Sequence, residues 1–253
     1  MKFFQKQKIG NHRIITVLGF KIISYKKEYK IPILNKGKNN IIIGNYRKAR
    51  KNESPIIIIN GNNNVININE HIKICGKNTF TFNGNNNILK IKENTSVYNS
   101  HFDIRNNITF SIGKNCLITD TTAIFSDNGK ISIGNNFCNS STMQLFAGGG
   151  KNMDLTIGND CMFSREIVIY THDGHPIYDR TSNEEINKPK NSVVIGNNVW
   201  LGHGSHILKN AVLPDNTVVG AKSVVTKVFE VQNTIIAGNP AKVCKRNIYW
   251  KKC

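Results

Sequence analysis

The stretch SVVIGNNVWLGHGSHILKNAVLPDNTVVGAKSVV, residues 192–225, places an aliphatic residue at every sixth position: Ile195, Leu201, Ile207, Leu213, Val219 and Val225. Two residues before each stands a small or β-branched partner: Val193, Val199, Ser205, Ala211, Thr217 and Ser223. The same step runs through Ile157, Phe163, Ile169 and through Ile112, Ile118, Ile124. It recurs in Ile133, Asn139, Leu145, with a polar residue in the middle. A period of six fits neither an amphipathic helix nor an alternating strand. It fits a coil with three short flat faces, each supplying one inward side chain that stacks on the next coil. Gly follows the aliphatic residue at 113, 134, 158, 196, 202 and 220, often with Asn after it. Both residues tolerate the positive φ expected at sharp corners. The expected fold is therefore all-β, a parallel β-solenoid.

Upstream, the period loosens. Asn60-Gly61-Asn62-Asn63-Asn64 and Asn83-Gly84-Asn85-Asn86-Asn87 are near copies, flanked by Ile-rich runs such as Ile56-Ile57-Ile58-Ile59. They read as longer, less regular coils with stacked Asn at the corners. The expected organisation is a basic N-terminal cap over 1–40, irregular Asn-rich coils over 41–110, regular coils over 111–240 and a C-terminal cap over 241–253. One coil is interrupted: Gly158 to Gly196 spans one coil more than its neighbours, and the excess forms a polar, Pro-bearing loop at 170–191. A loop leaving a rigid scaffold is where binding and catalytic groups concentrate. This one reads Tyr170-Thr171-His172-Asp173-Gly174-His175-Pro176-Ile177-Tyr178-Asp179.

The chain has 253 residues, with 34 Lys+Arg against 16 Asp+Glu and a formal charge of +18. The lysines are scattered, without helix-turn-helix or zinc-finger patterning, so nucleic acid is not the expected partner. A polyanionic glycan, an anionic membrane surface or a phosphorylated cofactor suits that charge equally well. The apolar run Ile14–Phe20 is too short to span a bilayer and no cleavage site follows it, so no secretory signal is read. The six Cys lack a CxxC pair. Reduced thiols and a cytoplasmic location, with possible peripheral contact at the inner membrane, are expected.

The step of six resembles that of the hexapeptide-repeat acyltransferases, and three further segments strengthen the resemblance. They are Asp173-Gly174-His175-Pro176-Ile177; Val199-Trp200-Leu201-Gly202 after Lys188-Pro189; and Gly220-Ala221-Lys222-Ser223-Val224-Val225-Thr226-Lys227 followed by Gly238-Asn239-Pro240-Ala241-Lys242. The resemblance implies a left-handed parallel β-helix working as a homotrimer, with an extruded loop and sites built between neighbouring chains. Within the superfamily the chain looks most like bacterial O-acetyltransferases of surface glycans, including those acting on sialic acid polymers. The implied activity is acetyl-CoA-dependent O-acetylation by direct transfer, with sialic acid of a lipooligosaccharide or capsule as the leading acceptor. The alternatives are N-acetylation of a nucleotide-linked amino sugar and a non-catalytic β-solenoid binding module.

Acetyl transfer to a hydroxyl needs a base, and histidine suits that task near neutral pH. The resemblance places the catalytic residue at His175, with His172 as the alternative base. Asp173, His172 or a backbone carbonyl would orient the ring. Trp200 is the expected wall of the acceptor or thioester channel, with Tyr178 and His203 as further substrate contacts. Gly202 and Ser205 are candidate backbone donors to the developing oxyanion. Ala221, Lys222, Ser223, Asn239 and Pro240 would line the coenzyme A arm, with Lys222, Lys227, Lys242, Lys245 and Arg246 for its phosphates. Zinc enters because His203 and His206 lie three apart and could join His172 or His175. The intact acyltransferase motifs weigh against that, and no metal is expected.

Overall fold

The computed structural model describes residues 30–44, 46–48, 54 and 56–252, together with the backbone of strands Phe4–Ile9, His12–Val17 and Phe20–Lys26. Those three strands form an antiparallel sheet within a separate unit, Met1–Lys30. Most of the expected basic cap, its suggested lipid contact and Cys253 lie outside the described residues.

From Ile31 onward the chain is a β-solenoid with three parallel sheets as its faces. Each coil visits the first face, the second and then the third before returning one layer on. In the regular coils this order runs Ile167–Tyr170, Val193–Ile195, Trp200–Leu201 and then His206–Ile207. No helix occurs among the described residues, and none is long and apolar enough to cross a membrane. The first face already includes Ile31–Asn35, paired in parallel with Ile57–Ile59. The stack thus begins ahead of residue 41, where composition alone placed its start.

The inward positions follow the six-residue step. Ile195, Leu201, Ile207, Leu213, Val219 and Val225 are fully buried, as are their partners two residues earlier. Each of the six aliphatic side chains at the step itself contributes roughly 1.5–3 kcal/mol by leaving water. Asn139 keeps the step as a buried polar residue because its amide is satisfied. Its Oδ1 accepts from Thr119 N–H at 2.8 Å and its Nδ2 donates to Thr119 O at 2.6 Å. The step fails at Ile124, which is half-exposed while Ala123 and Phe125 point inward. The corner at Thr119 and Asp120 is one residue shorter than the same corner of the next coil, where Leu117 pairs with Cys138 but Thr121 pairs with Met143, and this shifts the register by one residue. The longer coils are filled by aromatic rings: Phe80 stacks on Phe102 at 4.5 Å, and Phe110 meets Phe125 edge-on at 4.8 Å.

The corners correct one expectation about glycine. Positive φ falls instead on Asn115, Asn136, Asp160 and Asn198, while Gly113, Gly134, Gly158 and Gly196 avoid it. Those glycines are required by close stacking. A Cβ on Gly158 would sit 2.5 Å from the carbonyl oxygen of Gly196 in the next coil. The Asn runs stack as expected. Backbone N–H groups of Lys38, Asn62, Asn85 and Asn106 donate to Oδ1 of Asn62, Asn85, Asn106 and Asp127 respectively, at 2.7–2.8 Å. These ladders satisfy corner donors that the sheets leave unpaired.

The last coil ends in an antiparallel hairpin, Thr234–Gly238 with Ala241–Arg246. The segment beyond it then runs back along the corner between the second and third faces. Ile248 N–H donates to Asn233 O and Lys252 Nζ to Asn136 O.

Candidate active site

The loop leaves the first face after Tyr170 and rejoins the second at Val193, at the corner between those faces. Its two limbs are tied together by Asn187. The Asn187 Nδ2 donates to Asp173 Oδ2 at 2.8 Å and to His175 O at 2.9 Å, and its Oδ1 accepts from Ile177 N–H at 2.7 Å. The next coil clamps the same point. Lys209 Nζ donates to Asp173 Oδ2 and to Asn187 O, and Asn210 Oδ1 accepts from the N–H groups of Lys190 and Asn191. From the coil before, Asn152 Nδ2 donates to Pro189 O at 3.1 Å. The loop is therefore held from both sides by the scaffold. Its tip is a short hairpin closed by Ile186 N–H to Ile177 O, with Ile177, Tyr178 and Ile186 all more than half exposed.

The two histidines differ. His172 is half-buried, and its Nδ1 accepts from Gly174 N–H at 3.0 Å while its Nε2 is enclosed without a hydrogen-bond partner. Burial pushes its pKa below the ordinary histidine value, against the opposing pull of Asp173. In the neutral ring the proton then belongs on Nε2, which leaves no free acceptor nitrogen. His175 is exposed, and its ring makes no hydrogen bond among the described residues. Asp173 does not contact either ring through a hydrogen bond. Its carboxyl is pushed up by burial, but the bonds from Lys209 and Asn187 outweigh this and hold it below the usual range.

Trp200 lies on the third face, across the coil from the corner that carries the loop. One chain does not bring Trp200 and His175 together. The Trp200 Nε1 donates to Ser164 Oγ at 3.4 Å, and its ring meets Trp250 at 5.9 Å. His203 and Lys222 converge on Glu166, at 3.4 and 3.1 Å, where the third face turns into the first. The hydrogen bond and charge of Lys222 lower the Glu166 pKa. A shallow cleft of about 170 Å³ adjoins this cluster, lined by Thr142, Gln144, Glu166, His206 and Lys222 among others.

Two expectations need correction. Gly202 N–H already donates to Val219 O at 2.8 Å, and Ser205 N–H is directed to Gly202 O. Both residues are buried, so neither amide is free to meet an oxyanion. Ser223 is also fully buried, and its Oγ accepts from Gly238 N–H at 3.0 Å. Ala221, Lys222, Lys227, Asn239, Pro240, Lys242 and Lys245 are exposed on the last coils and closing hairpin. Among them, Lys222 is engaged by Glu166, and Lys227 lies 5.2 Å above the Phe229 ring.

Sequence reasoning missed Lys209, Asn187, Glu166 and Trp250. The register held a signal for two of them. Lys209 precedes the corner residue of the coil after the loop, and Glu166 occupies the corner one coil before Gly204.

A family model described as bacterial transferase hexapeptide (six repeats) matches residues 192–227. A polysialic acid O-acetyltransferase of Escherichia coli O1:K1 / APEC is 38% identical over 100 residues, covering 39% of this chain and 32% of the relative. That of Neisseria meningitidis is 35% identical over 96 residues, covering 38% and 44%. The chain thus spans less than half the length of these two relatives. The galactoside O-acetyltransferase of Escherichia coli strain K12 is 30% identical over 141 residues, covering 51% and 66%. In three dimensions, the crystal structure of the polysialic-acid-specific acetyltransferase NeuO superposes with a TM-score of 0.66 at 27% identity, over 88% of this chain and 90% of that one. The polysialic acid O-acetyltransferase OatWY gives 0.60 at 28% identity, over 86% and 91%. By its repeat, its three parallel faces and these likenesses, the chain is a left-handed parallel β-helix that resembles the hexapeptide-repeat acyltransferases, and among them bacterial surface-glycan O-acetyltransferases.

Proposed function

We propose that this chain is an acetyl-CoA-dependent O-acetyltransferase acting on a hydroxyl of a bacterial surface glycan, with sialic acid as the leading acceptor. The supporting observation is the loop: an exposed His175 whose ring is unengaged while its backbone is fixed by Asn187. His175 then accepts the proton of the acceptor hydroxyl as its oxygen attacks the thioester carbonyl. The carbon–sulfur bond breaks, and the imidazolium returns the proton to the departing thiolate, leaving an acetyl ester and free coenzyme A. Such base catalysis contributes roughly 10²–10⁴-fold. His172 supports the loop through Gly174. The coenzyme A arm is assigned to the exposed residues of the last coils, Ala221, Lys222, Asn239, Pro240, Lys242 and Lys245.

The placement of Trp200 and His175 on opposite sides of one coil favours a site completed by a second copy. A closed ring of three chains, each presenting its loop to the third face of the next, satisfies that geometry. Thiol release from acetyl-CoA across sialylated, desialylated and amino-sugar acceptors tests this reading. Release that depends on a sialylated acceptor supports it. Release only with amino sugars would shift it to N-acetylation, and no coenzyme A binding at all would leave a binding module.

A further inference from the structure

The segment 247–252 retraces the corner between the second and third faces, against the order of the coils. Three hydrogen bonds mark its course: Ile248 N–H to Asn233 O at 3.0 Å, Trp250 Nε1–H to Asn198 O at 2.8 Å, and Lys252 Nζ to Asn136 O at 3.1 Å. All three acceptors are corner residues with positive φ, stacked over alternate coils with Asp160 and Asn216 between them. The indole of Trp250 is thereby delivered to Trp200, with ring centroids 5.9 Å apart and planes tilted by 44°.

We propose that Trp250, with Trp200 and Tyr249, forms an aromatic platform that binds a pyranose ring of an anionic glycan, flanked by Lys251. This rests on the acceptor reading above and extends it to residues outside the loop. Neither indole is fully buried, and Tyr249 is 83% exposed. A strap held only for stability would bury its rings, as Phe137 and Phe163 are buried in the core. Both indole N–H groups already have acceptors, Ser164 Oγ and Asn198 O. The platform therefore offers ring faces rather than donors, which suits the apolar C–H face of a sugar. Lys245, Arg246 and Lys251 are exposed and form no ion pair among the described residues, leaving positive charge for a sugar carboxylate. The nearest carboxylates of the corner, Asp160 and Asp215, are occupied by Asn136 Nδ2 and Asn197.

The test uses the full chain carrying His175→Ala, so that turnover does not consume the ligand. Binding of a short sialic acid oligomer, a neutral galactose oligomer and coenzyme A is measured by calorimetry. Adding Trp250→Ala should weaken the sialic acid oligomer by about tenfold, while Trp250→Phe stays within about threefold and coenzyme A affinity is unchanged. Unchanged coenzyme A affinity also reports that the coils remain folded. Sialic acid affinity unaffected by Trp250→Ala would overturn the platform while leaving the acceptor reading intact. Loss of coenzyme A affinity instead, restored by Trp250→Phe, would overturn it in favour of a nucleotide-stacking role. If the parent protein bound coenzyme A but no sialic acid oligomer, the acceptor reading would fall and the platform with it.

Discussion

Lys209 Nζ and Asp173 Oδ2 form an ion pair across 36 residues of sequence, joining the corner of one coil to the loop that leaves the coil before it. Lys209 also donates to Asn187 O, and Asn187 donates to both Asp173 and His175 O. The arrangement fixes the backbone of His175 without touching its ring. Replacing Lys209 with Ala should lower kcat/KM by about 10–100-fold, the scale expected for a misplacement of roughly an ångström. Coenzyme A affinity should hold, and Lys209→Arg should recover part of the loss. Steady-state kinetics with calorimetry would show this, and an unchanged kcat/KM would remove Lys209 from the positioning network.

The pH dependence of stability should carry the mark of His172. Burial lowers its folded-state pKa, so the unfolded chain binds the proton more readily. Its contribution is present above the unfolded value of about 6.5 and is lost as pH falls through the folded value. The Tm of the native protein should therefore drop between pH 7 and 5 more steeply than that of His172→Gln. Asp173 behaves likewise in a lower window. Its depressed pKa makes its contribution complete above about pH 4 and lost as pH falls further. Parallel Tm curves for the native and His172→Gln proteins would contradict this account.

If Trp200 and His175 act together across two copies, variants in each should complement. His175→Ala and Trp200→Ala proteins, each inactive alone, should regain activity when unfolded, mixed in equal amounts and refolded together. In a closed ring of three, about a quarter of the sites would carry both native residues. No recovery, in a mixture shown to contain hybrid assemblies, would place the site within one chain.

The glycine stack makes a stability prediction. Gly158→Ala would drive its Cβ onto the Gly196 carbonyl and should cost ~1–3 kcal/mol. Gly174→Ala meets open space but sits at a φ of 83°, and it should cost ~1–2 kcal/mol through backbone strain alone. Chemical denaturation of both variants would show whether close stacking or backbone conformation is the stronger constraint.

The repeat made the coils legible because each face is too short to hide its pattern: Ile195 to Val225 point inward at every step. It misled at Ile124, where a corner one residue short shifts the inward set to Ala123 and Phe125, a change that composition does not signal. Glycine was located correctly and explained wrongly, since the contact that requires it lies one coil away in space. The loop and its histidines stood out as a polar interruption of a regular stack. Their supports did not, because Lys209 and Asn187 look like ordinary surface residues until the coils are stacked. Trp250 was hidden for the same reason: its contact with Trp200 depends on a segment running backwards along a corner.

The role proposed for His175 is to take the acceptor proton during acetyl transfer. Its most direct test is single-turnover acetyl transfer to a sialylated acceptor by the native, His175→Ala and His172→Ala proteins, with coenzyme A binding measured alongside. Native transfer should fall by roughly 10²–10⁴-fold in His175→Ala, with coenzyme A still bound and a much smaller loss in His172→Ala. Full transfer by His175→Ala, with transfer abolished in His172→Ala, would contradict it.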